Sequence, residues 1–275
     1  MPQGLFEKII NESSGLGLKN IGIAGFGEPL CDPNILKKVE YAKRTNGTLN
    51  IQMTSTLFLL NEKHIECFLE NLDTIHVSFY GMSSNTYEKI HGGGLKFEVS
   101  KENILRLIEK KKLAKSKKPS IVMRYLLDEI NENEMSKFVT FWEPLVDEVM
   151  VWKPHNYLYG RRYREINIRT KESCDRPFTN MLYFDIEGRV TMCCFDFNKD
   201  LEVGNVKYQT IKEILLGEKL KNLRDSHWQG KYDGLICKSC DQRLKRPDVL
   251  VYSTDKSRNI REHNMSRKKY LDLQK

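Results

Sequence analysis

Short apolar segments alternate with longer amphipathic ones along the front half of the chain. Five of the short segments are rich in β-branched and other apolar residues, and we predict that each forms a β-strand. The stretches between them repeat apolar residues at helical spacing. This alternation indicates a parallel sheet with right-handed crossovers, so the predicted fold class is α/β. The predicted strands cover residues 20–24, 49–53, 74–78, 121–127 and 148–151.

Polar residues mark the starts of the predicted helices. Asp32 followed by Pro33 combines a capping side chain with a proline suited to a first helical turn. Asn61 and Ser100 are predicted to cap two further helices. The chain opens on a predicted helix, whereas a parallel array usually opens on a strand, so we expect a further segment ahead of Met1. The helices are predicted over residues 5–11, 62–70 and 101–112.

The loops that follow the predicted strands carry the first candidate chemistry, because such loops share one edge of a parallel sheet. The first contains Gly25 and Gly27, which allow close backbone approach, and Glu28, whose carboxylate could accept from an ammonium group. The second is a run of hydroxyls that includes Ser55. The alternative is that these loops are ordinary turns, which use the same residue types. After the fifth strand come three candidate catalytic residues, Lys153, His155 and Asn156.

Four cysteines near the C-terminus carry the strongest chemical signal. Cys174 and Cys193 flank Gly188 in the pattern C-x13-G-x4-C, and Cys237 and Cys240 form C-x2-C. Residues 182–193 read as a hairpin with its turn at 187–188, which would return the second cysteine to the neighbourhood of the first. Four thiolates grouped in this way can surround one soft centre, either a zinc ion or an iron–sulfur cluster.

Composition narrows the class of protein. The chain has 275 residues, of which 40% are hydrophobic and 30% charged, as in globular proteins. It shows no signal peptide and no apolar run of about 18 residues, so we expect a cytoplasmic protein without a membrane partner. Seven cysteines without a secretory signal favour metal ligation over disulfides. The net charge of +8 lies largely in residues 110–118 and after residue 243. A solvated helix face explains these basic residues more simply than binding to nucleic acid does.

Together these segments resemble the radical-SAM superfamily, in the branch with a C-terminal SPASM or twitch extension. The resemblance covers residues 1–245 and rests on IGIAGFGEPLCDP, IQMTSTLFLL, IHVSFYG and the cysteine pattern. No cysteine follows Cys240, which matches the one-cluster twitch form. The resemblance implies a [4Fe–4S] auxiliary cluster, and we leave out Cys194 because neighbouring residues of a strand point in opposite directions. The implied ligands are Cys174, Cys193, Cys237 and Cys240.

The resemblance also implies residues that bind S-adenosylmethionine (SAM). Gly27 and Glu28 match the part of the family that binds the SAM amino group. Ser78 resembles a residue that contacts the SAM ribose or carboxylate, and Arg124 would pair with the carboxylate, with a salt bridge as the alternative. The implied SAM-binding set is Gly25, Gly27, Glu28, Ser55, Ser78 and Arg124.

The C-x3-C-x2-C motif that holds the family's catalytic cluster does not occur in these 275 residues. Cysteines before Cys174 are confined to Cys31 and Cys67. We expect the chain to begin after the motif, with loss of the catalytic cluster as the alternative. In either case the 275-residue chain is expected not to cleave SAM by itself.

The resemblance implies a partial (β/α) barrel without its first strand over residues 1–160, a twitch domain over 161–245 and a basic tail over 246–275. The intact protein would hold SAM and a second [4Fe–4S] cluster and take electrons from a donor such as flavodoxin or ferredoxin. It would abstract hydrogen from a sugar-like, alcohol-like or peptide substrate, as an oxidoreductase or maturase. The alternatives are a non-catalytic iron–sulfur electron carrier and a zinc-binding nucleic-acid module.

Overall fold

A computed structural model describes residues 1–154, 173–174, 176–179, 181–243 and 250–255. The chain divides into two compact units. The sheet unit consists of Lys19–Pro154 and Asp248–Lys275, and the cysteine unit consists of Met1–Leu18 and His155–Pro247. His155 and Asn156 lie outside the described residues. No helix in the described residues has both the length and the apolar character needed to cross a bilayer.

The elements are numbered here in chain order. The strands are β1 (Asn20–Ile23), β2 (Asn50–Ser55), β3 (Thr74–Ser78), β4 (Ser120–Leu126), β5 (Glu148–Trp152), β6 (Tyr183–Phe184), β7 (Arg189–Thr191), β8 (Glu202–Asn205) and β9 (Leu250–Ser253). The helices are α1 (Gln3–Gly15), α2 (Ile35–Thr45), α3 (Glu62–Asn71), α4 (Ser84–Ile90), α5 (Phe97–Leu113), α6 (Met135–Trp142), α7 (Ile211–Leu216) and α8 (Glu218–Trp228).

The sheet unit is built on six strands in the order β1-β2-β3-β4-β5-β9. Strands β1 to β5 are parallel, so the predicted α/β fold with a parallel sheet is confirmed. Strand β9 pairs antiparallel with β5 and lies in the region interpreted from the sequence as a basic tail. Because β1 to β5 run in one direction, the loops after them lie at one edge of the sheet.

An aromatic cluster fills one side of the sheet unit. The ring of Phe79, directly after β3, lies 4.7 Å from that of Tyr87 and 5.5 Å from those of Phe97 and Trp142, measured between centroids. All four side chains are buried, so α4, α5 and α6 pack their apolar faces around the end of β3. Contacts of this kind between aromatic rings stabilise a core beyond the burial of their area.

Of the two predicted capping residues Asn61 and Ser100, one is confirmed and the other is wrong. Asn61 caps α3 as predicted, because its side chain accepts from the backbone N–H of His64 at 3.1 Å. The prediction for Ser100 is wrong, since α5 already begins at Phe97 and Ser100 is buried within it. Its hydroxyl accepts from the Tyr87 hydroxyl at 2.9 Å, so tertiary contact explains this serine.

The predicted start at Asp32-Pro33 is also displaced, because α2 begins at Ile35. The Asp32 carboxylate accepts from the backbone N–H of Asn34 at 2.9 Å and forms an ion pair with Lys38 inside the helix. Asp32 therefore stabilises the start of α2 although it lies two residues before the capping position, which Asn34 occupies.

The cysteine unit combines a three-stranded antiparallel sheet, β6-β7-β8, with α7 and α8. The predicted hairpin turn lies at Gly188, whose φ is 79°. Helix α1 packs in this unit, although the sequence-based division put it with the barrel region. The Lys8 ammonium donates to the carbonyl of Val206 at 2.6 Å, and the Glu12 carboxylate accepts from the N–H of Ile211 at 2.7 Å.

Candidate functional site

The four cysteines singled out by their spacing line one pocket of the cysteine unit. Cys193 lies two residues after the end of β7. Cys237 and Cys240 belong to a single tight turn, in which the N–H of Cys240 donates to the carbonyl of Cys237 at 3.2 Å. The other lining residues are mainly apolar or cationic: Arg176, Pro177, Met192, Leu201, Leu223, His227 and Arg243. A soft donor set in a largely apolar pocket suits a thiolate-ligated centre.

Burial and crowding raise the pKa of two of these thiols, those of Cys193 and Cys237. Burial raises the pKa of Cys193 to about 11, with the neighbouring thiols adding to the effect. The pKa of Cys237 is raised to about 12 for the same two reasons. A bound metal centre would lower the pKa of these thiols again, because metal ligation requires the thiolate form. Among the described residues, no three His, Cys, Asp or Glu side chains are close enough to hold a single metal ion.

Cys194 lies beside the pocket without lining it. Its thiol lies close to the Tyr183 side chain, whose hydroxyl donates to Met181 Sδ at 3.0 Å. Burial, followed by the Cys194 thiolate, raises the pKa of Tyr183. The structure therefore places this cysteine in a different environment from the four that share the pocket.

Two arginines share the pocket with the cysteines, and the sequence analysis did not single them out. For Arg176, burial lowers the pKa, but the nearby thiolates of Cys194, Cys193 and Cys174 outweigh it and the net shift is upward. Arg243 donates to two backbone carbonyls of the C-x2-C turn. Each arginine follows a pocket cysteine by two or three residues, which is the signal that could have found them.

A second group of polar residues lies at the edge of the sheet unit where β1 and β2 end. The Glu28 carboxylate accepts from the Ser55 hydroxyl at 2.6 Å, the Thr56 hydroxyl at 2.7 Å, the Thr56 N–H at 2.8 Å and the Leu30 N–H at 3.2 Å. Four donors fill the acceptor positions of a carboxylate. Glu28 thus ties the loop after β1 to the loop after β2.

The two glycines of the first loop leave open space in front of the backbone. A Cβ atom added at Gly25 or Gly27 would meet no atom within 4 Å, and both residues are exposed. Since the Glu28 carboxylate is occupied by protein donors, the backbone of this loop is the part that a ligand can approach.

Ser78 and Arg124 face each other across neighbouring strands, as partners in the β3–β4 register. The side chains of Ser78 and Tyr80 also lie close together. Burial raises the pKa of the Tyr80 phenol, while the Ser78 hydroxyl and the Arg124 charge act in the opposite direction. In the β2–β3 register, Ser55 is the partner of Val77, so Ser55 lies one residue away from the level that Ser78 and Arg124 share.

Lys153 follows directly after β5, whose C-terminal end lies at the same edge of the sheet. The other two catalytic candidates, His155 and Asn156, fall outside the described residues. For these three residues the sequence-based interpretation stays a prediction.

Residues 174–241 match the SPASM family, an iron–sulfur cluster-binding domain. Among curated proteins, the chain is 26% identical over 195 residues to a GTP 3',8-cyclase of Clostridium botulinum (strain Okra / Type B1). The aligned region covers 71% of this chain and 59% of that relative, so it spans less than two thirds of the relative's length.

Solved structures share the fold at low sequence identity. Native anSMEcpe with bound AdoMet and Cp18Cys peptide superposes with a TM-score of 0.64 and 14% identity, covering 91% of this chain and 81% of that one. BtrN in complex with AdoMet and 2-DOIA superposes with a TM-score of 0.54 and 18% identity, covering 88% and 80%.

All four pocket cysteines lie within the segment that matches the iron–sulfur domain. Residues 174–241 therefore match an iron–sulfur cluster-binding domain, the wider chain is similar in sequence to a GTP 3',8-cyclase, and its fold is shared with solved structures that hold AdoMet.

Proposed function

We propose that Cys174, Cys193, Cys237 and Cys240 bind one auxiliary [4Fe–4S] cluster, and that this chain belongs to a radical-SAM enzyme. The observation that carries the proposal is the meeting of these four thiols in one pocket of the matched domain. Four thiolates close the coordination shell of such a cluster and leave no iron open to substrate. A closed site of this kind transfers electrons and does not bind the reacting molecule.

The edge of the sheet unit at the ends of β1 to β4 is the proposed SAM site. The backbone of the glycine loop would receive the SAM amino group, and Arg124 would pair with its carboxylate beside Ser78. Glu28 and Ser55 act indirectly here, because their bond to each other holds the loops in position. With SAM and a catalytic cluster bound, the site would supply a 5′-deoxyadenosyl radical that takes a hydrogen atom from the substrate.

The proposed substrate is a small molecule with alcohol or sugar character, or a peptide. Proteins that share the fold were solved with one of each, 2-DOIA and the Cp18Cys peptide. The auxiliary cluster would accept or relay the electron that net oxidation of the substrate releases. A donor such as flavodoxin or ferredoxin would supply the electron that starts each turnover. This chemistry requires a reducing, cytoplasm-like compartment.

Serine substitutions test the ligand assignment. Anaerobic reconstitution with iron and sulfide, followed by absorbance and electron paramagnetic resonance (EPR) spectroscopy, should give the cluster signal in the wild-type protein. Changing any of the four pocket cysteines to serine should lower the cluster content severalfold, because one corner loses its thiolate. Cys67→Ser, in the sheet unit, and Cys194→Ser are the matched controls and should retain the signal. Full cluster content in Cys237→Ser, or its loss in Cys194→Ser, would contradict the assignment.

A further inference from the structure

The pocket that holds the four thiols also holds two guanidinium groups. Arg176 and Arg243 both line it, and both side chains are partly buried. They approach from opposite ends of the cysteine pattern, one close after Cys174 and the other close after Cys240. The pocket therefore combines groups that become anionic on ligation with groups that are cationic at every physiological pH.

Protein contacts fix the position of each guanidinium. Arg243 donates from Nη1 to the carbonyl of Lys238 at 3.0 Å and to that of Cys237 at 3.3 Å, and its Cζ lies 3.5 Å from the centroid of the Tyr232 ring. Arg176 donates from Nη2 to the side-chain oxygen of Gln242 at 3.3 Å. Its Cζ lies 4.9 Å from the centroid of the Phe195 ring. These hydrogen bonds and cation–π contacts orient both groups without neutralising their charge.

Among the carboxylate side chains that the structure describes, which do not include those of Asp175 and Asp241, none forms an ion pair with either guanidinium. Arg189 of the same unit differs, because its Nε lies 2.8 Å from the Asp185 carboxylate. A cation that is partly removed from water needs a counter-charge nearby. In this pocket, cysteine thiolates on a bound cluster would supply that charge.

We propose that Arg176 and Arg243 are the counter-ions of the auxiliary cluster and raise its reduction potential, which makes the cluster a better electron acceptor. The inference rests on the proposed function. One electron from a reductant converts [4Fe–4S]2+ to [4Fe–4S]+, with no bond formed or broken. The reduced cluster carries one more negative charge, so a nearby cation stabilises it more than the oxidised form.

Each guanidinium should change the equilibrium constant for electron acceptance by about tenfold, which is about 59 mV for a one-electron couple. This size corresponds to unit charges separated by roughly 12 Å in a medium with an effective dielectric constant of about 20, and a shorter separation would increase it. Removal of both guanidiniums should lower the potential further than removal of either one.

The test compares Arg176→Gln and Arg243→Gln with Arg189→Gln, which removes the same charge outside the pocket. Each protein is reconstituted, its iron and sulfide are quantified, and its midpoint potential is measured by EPR-monitored titration with dithionite. We expect the potential to fall by about 59 mV in each pocket variant and to stay unchanged in Arg189→Gln. Wild-type potentials in fully loaded pocket variants would overturn the proposal.

Lysine variants decide the matter if the glutamine variants lose the cluster. Arg176→Lys and Arg243→Lys keep the charge, so retention of the cluster at a near wild-type potential would support a counter-ion role. Loss of the cluster in the lysine variants as well would show that the guanidinium shape is required for folding, and it would overturn the proposal. Wild-type protein without iron and sulfide would overturn the proposed function itself, and the counter-ion inference with it.

Discussion

Replacing Glu28 with glutamine should destabilise the sheet unit at its proposed SAM edge. The carboxylate accepts four hydrogen bonds, two of them from the backbone N–H groups of Leu30 and Thr56. Glutamine keeps one oxygen and replaces the other with an NH2 group, which can only donate. Whichever way the amide turns, one of the two backbone donors then faces another donor.

The expected cost is about 2 kcal/mol. Hydrogen bonds to a charged acceptor contribute about 1.5–3 kcal/mol and neutral ones about 0.5–1.5 kcal/mol, and an unpaired donor adds its own desolvation cost. We take the low end because Glu28 is only partly buried and water can replace part of what is lost. A loss of about 2 kcal/mol changes the ratio of folded to unfolded protein by roughly thirtyfold.

Urea unfolding followed by circular dichroism measures the free energy, and amide hydrogen exchange at Thr56 reports the local effect. The matched control is Glu109→Gln, which removes an exposed carboxylate from α5 and should stay within about 0.5 kcal/mol of wild type. If Glu28→Gln also stays within about 0.5 kcal/mol, with unchanged exchange at Thr56, the role assigned to this carboxylate is refuted.

Three further predictions follow from the same structure. Gly188→Ala should cost at least about 1–2 kcal/mol in urea unfolding because φ is 79° and the new Cβ would lie 3.1 Å from Asn205 Oδ1. Gly234→Ala, with φ of 78° and open space, should cost less, and equal costs would contradict the crowding argument. Burial lowers the pKa of His91 from 6.5 to about 4, so below pH 6.5 the unfolded chain binds a proton that the folded protein does not. Stability should therefore fall by about 3 kcal/mol as the pH drops from 6.5 to 4, and His91→Phe should remove this part of the pH dependence. An identical pH profile in that variant would refute it. Finally, the reconstituted 275-residue chain, incubated with SAM and dithionite, should form no 5′-deoxyadenosine above a protein-free control, since a cluster closed by four thiolates offers SAM no iron. Formation above that control would show that the cluster ligands are misassigned.

Local patterns explain why the sheet was predictable from the sequence. Strands β1 to β5 are apolar runs bounded by polar or turn-forming residues, and each pairs with its neighbour along the chain. Strand β9 is a run of four residues among basic ones, and its conformation depends on pairing with the edge of β5. The periodicity of apolar residues in a sequence does not reveal a pairing partner that is distant along the chain. Ser100 failed as a predicted cap for a related reason, since its hydroxyl serves Tyr87.

The candidate site, like the fold, was only partly predictable from the sequence. The spacing of the cysteines was enough to single out the four residues that share the pocket. Arg176 and Arg243 carried a weaker signal, namely their position two or three residues after a pocket cysteine, because a single arginine has no period of its own. The four bonds of Glu28 were equally hidden, since the Ser55 and Thr56 donors lie on the next strand and loop. Site geometry of this kind depends on tertiary contacts.

The metal content of the wild-type protein tests the central claim most directly. Protein purified anaerobically and reconstituted should contain about four iron and about four sulfide ions per chain, the content of one [4Fe–4S] cluster. Mössbauer spectroscopy of the iron-57 form should show a single type of cubane cluster with four thiolate-ligated irons. Zinc in the pocket with neither iron nor sulfide would contradict the account.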